Sequence, residues 1–191
     1  MAESNAAPIR IAVAALSLSF AGFVGLVGRE WFTERAIVPT KGDVPTLGFG
    51  STVYEDGTPV RMGDTITPVR AIQLAQSHIS KDEAAFRASL PGVSLTQAEY
   101  DLYLDFTYQY GIGNWRASSM RRNLLETPAA TPADIPGLYR AACDALLAYR
   151  FAGGYDCSTT INGKRNTRCW GVWDSQLKRH ARCVAEQGGM Q

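Results

Sequence analysis

One glutamate in this chain has the type and the setting that acid–base chemistry requires. Glu30 is followed by Trp31 and Phe32 and precedes a Gly- and Thr-rich stretch, Pro45-Thr46-Leu47-Gly48-Phe49-Gly50-Ser51-Thr52. A carboxyl held against aromatic and apolar groups has its pKa raised, because burial disfavours the charged form, and it can then donate a proton near neutral pH. Other chemistries lack their parts. The 2 histidines, His78 and His180, fall in helical stretches among polar neighbours with no serine or cysteine elbow nearby, so both read as surface residues. No phosphate-cradling glycine loop opens a helix, which argues against nucleotide chemistry. Cys143, Cys157, Cys169 and Cys183 form no zinc-type pair and have no histidine at ligand spacing, so neither a metal nor a cofactor is expected.

The elements that must position Glu30 follow from local patterning. Residues 29–38 read as a short helix stopped by Pro39. The next segment, to about Val60, intersperses apolar residues with Gly, Pro, Asp and Thr and predicts a small hairpin or meander, with turns at Lys41-Gly42-Asp43 and Glu55-Asp56-Gly57. Thr67-Pro68 starts a helix. A second start is Leu95-Thr96, where Thr96 and Glu99 form a capping box and Leu95 staples onto Tyr100. The helix that follows, apolar around most of its circumference from Tyr100 to Tyr110, is the expected central core helix. Further helices are expected from Ser118 or Ser119, over 137–151 and over 174–186, with a loop across 152–168. The fold class is therefore α+β, a small sheet lobe beside a helical lobe.

The chain has 191 residues, of which 46% are hydrophobic and 19% charged, enough to bury one sizeable core. Its net charge of +1 removes the footprint of a dedicated nucleic-acid binder. Between Arg150 and Arg182 stand 7 Lys or Arg against 2 Asp, a local excess that could meet an anionic wall polymer or lipid headgroups. Residues 11–28 run without a charge between Arg10 and Arg29, just long enough for a helix to span a thin bilayer. Half of that run is Ala, Gly or Ser, so its insertion is expected to be marginal and reversible. The run is longer than a signal-peptide core and lacks a small-residue cleavage site, which favours an uncleaved anchor, residues 1–28, ahead of a domain at 29–191, over a cleaved signal or a buried core helix. An exported domain with an even number of cysteines is expected to hold two disulfides. Of the three pairings, the sequential one, Cys143 with Cys157 and Cys169 with Cys183, closes two loops of 14 residues and is preferred here.

Taken together, Arg29-Glu30, Ala36, Gly42 and the run from Pro45 to Thr52 resemble the active-site segment of phage-type lysozymes, glycoside hydrolase family 24. Leu95-Thr96 through Phe106, then Tyr108 to Trp115 and Ser118-Ser119, are similar to that family's central helix and its glycine turn. Gly171 through Cys183 is similar to its closing basic helix. The apolar segment ahead of such a domain further resembles the signal-anchor-release endolysins, held inactive in the inner membrane and then freed into the periplasm.

The resemblance implies cleavage of the β-1,4 bond between N-acetylmuramic acid and N-acetylglucosamine in peptidoglycan. Glu30 would be the general acid and Thr46 would help hold the attacking water, in an inverting arrangement. The family pattern places an aspartate between the two. Counting from Glu30 reaches Pro39, counting back from Thr46 reaches Thr40, and the nearest acid is Asp43, which is either a turn residue or the replacement base. Glu34 is assigned to a solvated face. Gln109, which interrupts an apolar run, is a candidate for a sugar cleft, with Tyr108 and Tyr110, whose other reading is core packing. A monomer is expected, with peptidoglycan strands as its partner and, before release, the inner membrane through residues 11–28. Two other readings fit a lone glutamate: a lytic transglycosylase giving anhydro products, and a non-enzymatic, membrane-anchored wall-binding protein.

Overall fold

A computed structural model describes residues 9–28, 31–39, 42–161 and 163–188. In chain order the elements are β1 (Ile11–Ala12), α1 (Phe20–Val27), β2 (Thr33–Ile37), β3 (Thr46–Gly48), α2 (Pro68–Ala88), β4 (Ser94–Leu95), α3 (Gln97–Ala117), α4 (Ser119–Glu126), α5 (Ile135–Asp144), β5 (Phe151–Ala152), β6 (Tyr155–Asp156), β7 (Thr160–Ile161), β8 (Lys164–Arg165) and α6 (Trp170–Ala185). Short 3-10 turns lie at Val13–Ala15, Thr127–Ala129 and Ala145–Ala148. They form two units, one from residues 17–86 and one from residues up to 16 together with those from 87 onward.

The smaller unit is organised around β2. Its antiparallel partner is β3, with Thr33 opposite Gly48, Ile37 opposite Thr46 and a register shift between the two pairs. On its other side Ala36 N–H donates to Asp64 O at 3.0 Å and Ile66 N–H donates to Glu34 O at 2.9 Å. The helix expected across 29–38 is therefore corrected to a strand over its described part. Thr33, Ile37 and Val38 are β-branched, and a strand here has hydrogen-bonding neighbours on both edges, which a lone two-turn helix could not supply. Ala36, Leu47, Val60, Ile66, Ala71 and Leu74 form the core, with Phe49 and Tyr54 packed against it. The turn at Glu55-Asp56-Gly57 closes as expected, Tyr54 N–H donating to Thr58 O at 2.8 Å and Gly57 at φ +87°.

The larger unit is built on α3. Thr96 and Glu99 make the full capping box, and Tyr100, Tyr103, Leu104, Phe106 and Trp115 are all fully buried. The helix kinks at Gly111, at φ +82° and ψ 152°, where the glycine turn was expected. Ser118 caps α4 by accepting from Arg121 N–H. The last helix begins earlier than its sequence signal, at Trp170, and the stretch read as a loop carries two hairpins, β5 with β6 and β7 with β8.

Two further expectations are corrected. Residues 11–28 do not form one apolar helix: β1 pairs with β4, Val13 N–H donates to Val93 O, and α1 starts only after Ser19, whose side chain accepts from Gly22 N–H. No described helix is long and apolar enough to cross a membrane. Serine at 17 and 19 explains the break, because serine favours caps and turns over helix interiors. The disulfides join Cys143 to Cys183 and Cys157 to Cys169 rather than following the sequential pairing. Loop entropy alone ranked the pairings, whereas packing of α5 against α6 brings Cys143 and Cys183 within 5.5 Å at Cα.

Candidate active site

Thr46 opens β3, half-buried, and its hydroxyl donates to Ile37 O at 3.4 Å across the ladder. The register fixes this threonine, because Leu47 and Gly48 beyond it are buried in the core and a slip would expose them. Gly48, at φ +64°, has its α-carbon facing Ala71, where a β-carbon would sit 2.9 Å from Ala71 Cβ. Only glycine lets the strand approach α2 this closely while holding a left-handed turn. Gly50 follows at φ +77°, so the glycines after Thr46 are conformational requirements of the hairpin.

Asp43 is exposed between the strands, and Val44 N–H donates to its Oδ1 at 3.2 Å. Its carboxylate thus caps its own turn, and it stands three positions before Thr46. Glu30 and Thr40 lie outside the described residues. Of the aromatic cover expected for Glu30, Trp31 is 91% exposed, while Phe32 packs on Phe49 with ring centroids 5.5 Å apart. Glu34 is exposed on β2, as assigned.

In the larger unit, Gln109 is exposed on α3 and its Oε1 accepts from Arg179 Nη2. Arg179 is only 4% exposed and also donates from Nε to Asp105 at 2.9 Å. Burial pushes its guanidinium pKa below the ordinary value, partly offset by Tyr110. Tyr110 stacks on Phe106 at 4.6 Å and its hydroxyl accepts from Gln176 at 2.6 Å. Tyr108 is half-buried on the same helix. The structure thus places Asp43 and Thr46 in the smaller unit and Gln109, Tyr108 and Tyr110 in the larger.

Sequence reasoning did not single out Arg179, Gln176 and Asp105. Their spacing carried a signal: Asp105 and Gln109 are one turn apart on α3, and Gln176 and Arg179 one turn apart on α6. Also missed was the ion pair of Arg10 with Glu99, at 3.0 and 2.7 Å, with the guanidinium lying 3.6 Å over the Tyr139 ring.

A helical unit led by a glycine-kinked core helix and a small unit centred on a Thr-x-Gly hairpin define a lysozyme-like α+β fold. Solved structures share it. An endolysin from Escherichia coli O157:H7 phage FAHEc1 superposes with a TM-score of 0.67 at 24% identity, covering 89% of this chain and 94% of the other. A P22 lysozyme variant gives 0.64 at 24% identity, covering 88% and 99%. In sequence, the endolysin of Salmonella phage P22 is 30% identical over 139 residues, 72% of this chain and 86% of that protein. The phage lysozyme family profile matches residues 30–168. The chain belongs to the phage lysozyme family.

Proposed function

We propose that this chain is an endolysin in which Glu30 protonates the glycosidic oxygen of peptidoglycan while Thr46, assisted by Asp43, holds the water that attacks from the opposite face. Membership of the phage lysozyme family makes the chain a peptidoglycan-degrading glycoside hydrolase of the muramidase type. The observation that carries this reading is the extent of the family match: it opens at Glu30 and runs through the hairpin and the core helix to Arg168. Supporting it, the hydroxyl of Thr46 is held by the β2–β3 register rather than by a mobile loop, which suits a residue that must position water. An acid on one side and positioned water on the other is the inverting geometry. Gln109, exposed on α3, is the proposed sugar-binding residue of the larger unit, with Tyr108 and Tyr110 beside it.

The proposal extends to an anchored state. Residues 11–28 carry no charge, and α1 leaves Phe20 82% and Val24 50% exposed, apolar surface that a bilayer would cover. With that run inserted, Glu30 is held two residues from the membrane end and the enzyme is inactive; release into the periplasm lets the segment fold as β1 and α1.

The test is release of reducing ends from purified sacculi by the wild-type chain and by Glu30→Gln, with Thr46→Val alongside. Glu30→Gln is expected to lose more than about a hundredfold of the rate, the usual scale of general acid catalysis. Thr46→Val is expected to lose a similar amount with the fold intact. Full activity in Glu30→Gln would refute the assignment of the acid.

A further inference from the structure

The cationic excess noted between Arg150 and Arg182 is distributed unevenly once its partners are counted. Lys178 pairs with Asp174, Arg179 with Asp105, and Arg150 with Asp156. Of the other four, Arg182 is exposed on α6 and Lys164, Arg165 and Arg168 are exposed together on the β5–β8 arm, none with a carboxylate partner among the described residues. Two of them are stacked: Arg165 lies 4.9 Å over the Trp170 ring and Arg168 lies 4.7 Å over the Tyr155 ring. A guanidinium lying over an aromatic face keeps its in-plane N–H groups aimed outward, ready for a bidentate carboxylate.

The arm that carries them is held rigid. Cys157 is bonded to Cys169, and Cys157 N–H donates to Arg150 O at 2.8 Å. Between the two stacked arginines sits Asn166, 3% exposed, donating to Asp156 O at 3.2 Å and accepting from Arg168 N–H at 3.1 Å. The backbone that presents the two arginines is therefore constrained on both sides of Asn166, which reduces the ordering entropy lost on binding.

We propose that this arm is an accessory docking surface for the acidic stem peptides of peptidoglycan, with Arg165 and Arg168 as its carboxylate-binding residues and Lys164 adding charge. This deepens the muramidase reading and rests on it for the identity of the polymer. The peptide-substituted sugars of the glycan are neutral, so on this polymer the charge of the surface is met by the peptide carboxylates. A bilayer fits less well. Each strand of the arm is two residues long, and immersing such hairpins would strip water from backbone groups that have no ladder partner.

The test measures co-sedimentation of the full chain, on ice, with native sacculi and with sacculi whose peptide carboxylates have been capped as neutral amides. The wild type is expected to prefer native sacculi by about fivefold at low ionic strength, the scale of two exposed charge pairs. Arg165→Gln with Arg168→Gln should lose most of the preference, keeping only what Lys164 contributes, while Arg165→Lys with Arg168→Lys should keep more of it. An unchanged melting temperature shows that the fold is retained. Equal binding of both preparations by the wild type, or an undiminished preference in the glutamine variant, overturns the proposal. So does binding to anionic phospholipid vesicles, lost in the glutamine variant, without any preference between sacculi. If the preference holds but the warmed wild type releases no reducing ends, the docking arm stands and the muramidase reading falls.

Discussion

Gly48 joins the site to the fold at the level of a single atom. Its substitution by alanine adds a β-carbon 2.9 Å from that of Ala71 in a left-handed conformation, and is expected to cost about 1–3 kcal/mol. Thermal denaturation of Gly48→Ala, Ala71→Gly and the double variant checks this. The pair should be strongly non-additive, since Ala71→Gly removes the clash. Glu55 gives a second residue-level expectation. Arg70 holds it by two hydrogen bonds of 2.5 and 2.7 Å and lowers its pKa to about 2 from 4.5. A folded-state pKa below the unfolded one contributes stability above about pH 4.5 that is lost as pH falls toward 2. The stability difference between wild type and Glu55→Gln, read from urea titrations, should be present at pH 6 and largely lost by pH 2. A difference that grows on acidification would contradict the assignment. Legibility at this scale was uneven. Thr96 and Glu99 were readable because a capping box follows from short-range spacing. Asp105 meets Arg179, and Tyr110 meets Gln176, through packing of α3 with α6, which no local window reports.

Among elements, the capped helices α2, α3 and α4 were legible from Thr67-Pro68, Thr96-x-x-Glu99 and Ser118, because caps are local chemistry. β2 was not. Thr33-Glu34-Arg35-Ala36-Ile37 has one buried residue, Ala36, so it lacks the alternation that marks a half-buried strand, and its partners come from 46–48 and 64–66. The disulfides differ in what they hold. Cys143–Cys183 joins α5 to α6 across 40 residues, whereas Cys157–Cys169 closes 12 within the arm. Chain entropy gives about 4 kcal/mol for the first and about 3 for the second. Replacing Cys143 and Cys183 by serine should lower the melting temperature more than replacing Cys157 and Cys169. The arm variant should lose the preference for native sacculi before it loses the fold. Peptide mapping without reduction establishes the connectivity; a Cys143–Cys157 peptide would contradict it.

For the whole molecule, the N-terminal segment is the deciding feature. Arg10 reaches Glu99, Gln187 and the Tyr139 ring, and Val13 and Leu16 are buried, so residues 10–16 are structural in the folded form. Composition showed an apolar run of spanning length. The cap preference of Ser17 and Ser19 was legible locally, but the partners that fix the break were not: β1 pairs with β4, and Glu83 accepts from Leu18 N–H at 2.8 Å. The proposed anchored state yields a specific test. Ala21 and Gly25 are exposed on α1, and a β-carbon at Gly25 meets nothing within 4 Å. Leucine at both positions therefore leaves the soluble fold intact while favouring insertion by several tenths of a kcal/mol per site. Fractionation of expressing cells should find more of this variant in the membrane and delayed lysis after depolarisation. Unchanged partition and timing would set the anchor aside.

The central claim, hydrolysis of the glycan with Glu30 as acid, is tested most directly by mass spectrometry of the muropeptides released from sacculi by the full chain. Hydrolysis predicts products ending in reducing N-acetylmuramic acid, formed by the wild type and not by Glu30→Gln. Anhydro-muramic ends would instead show a transglycosylase, and intact sacculi with bound protein would contradict enzymatic action altogether.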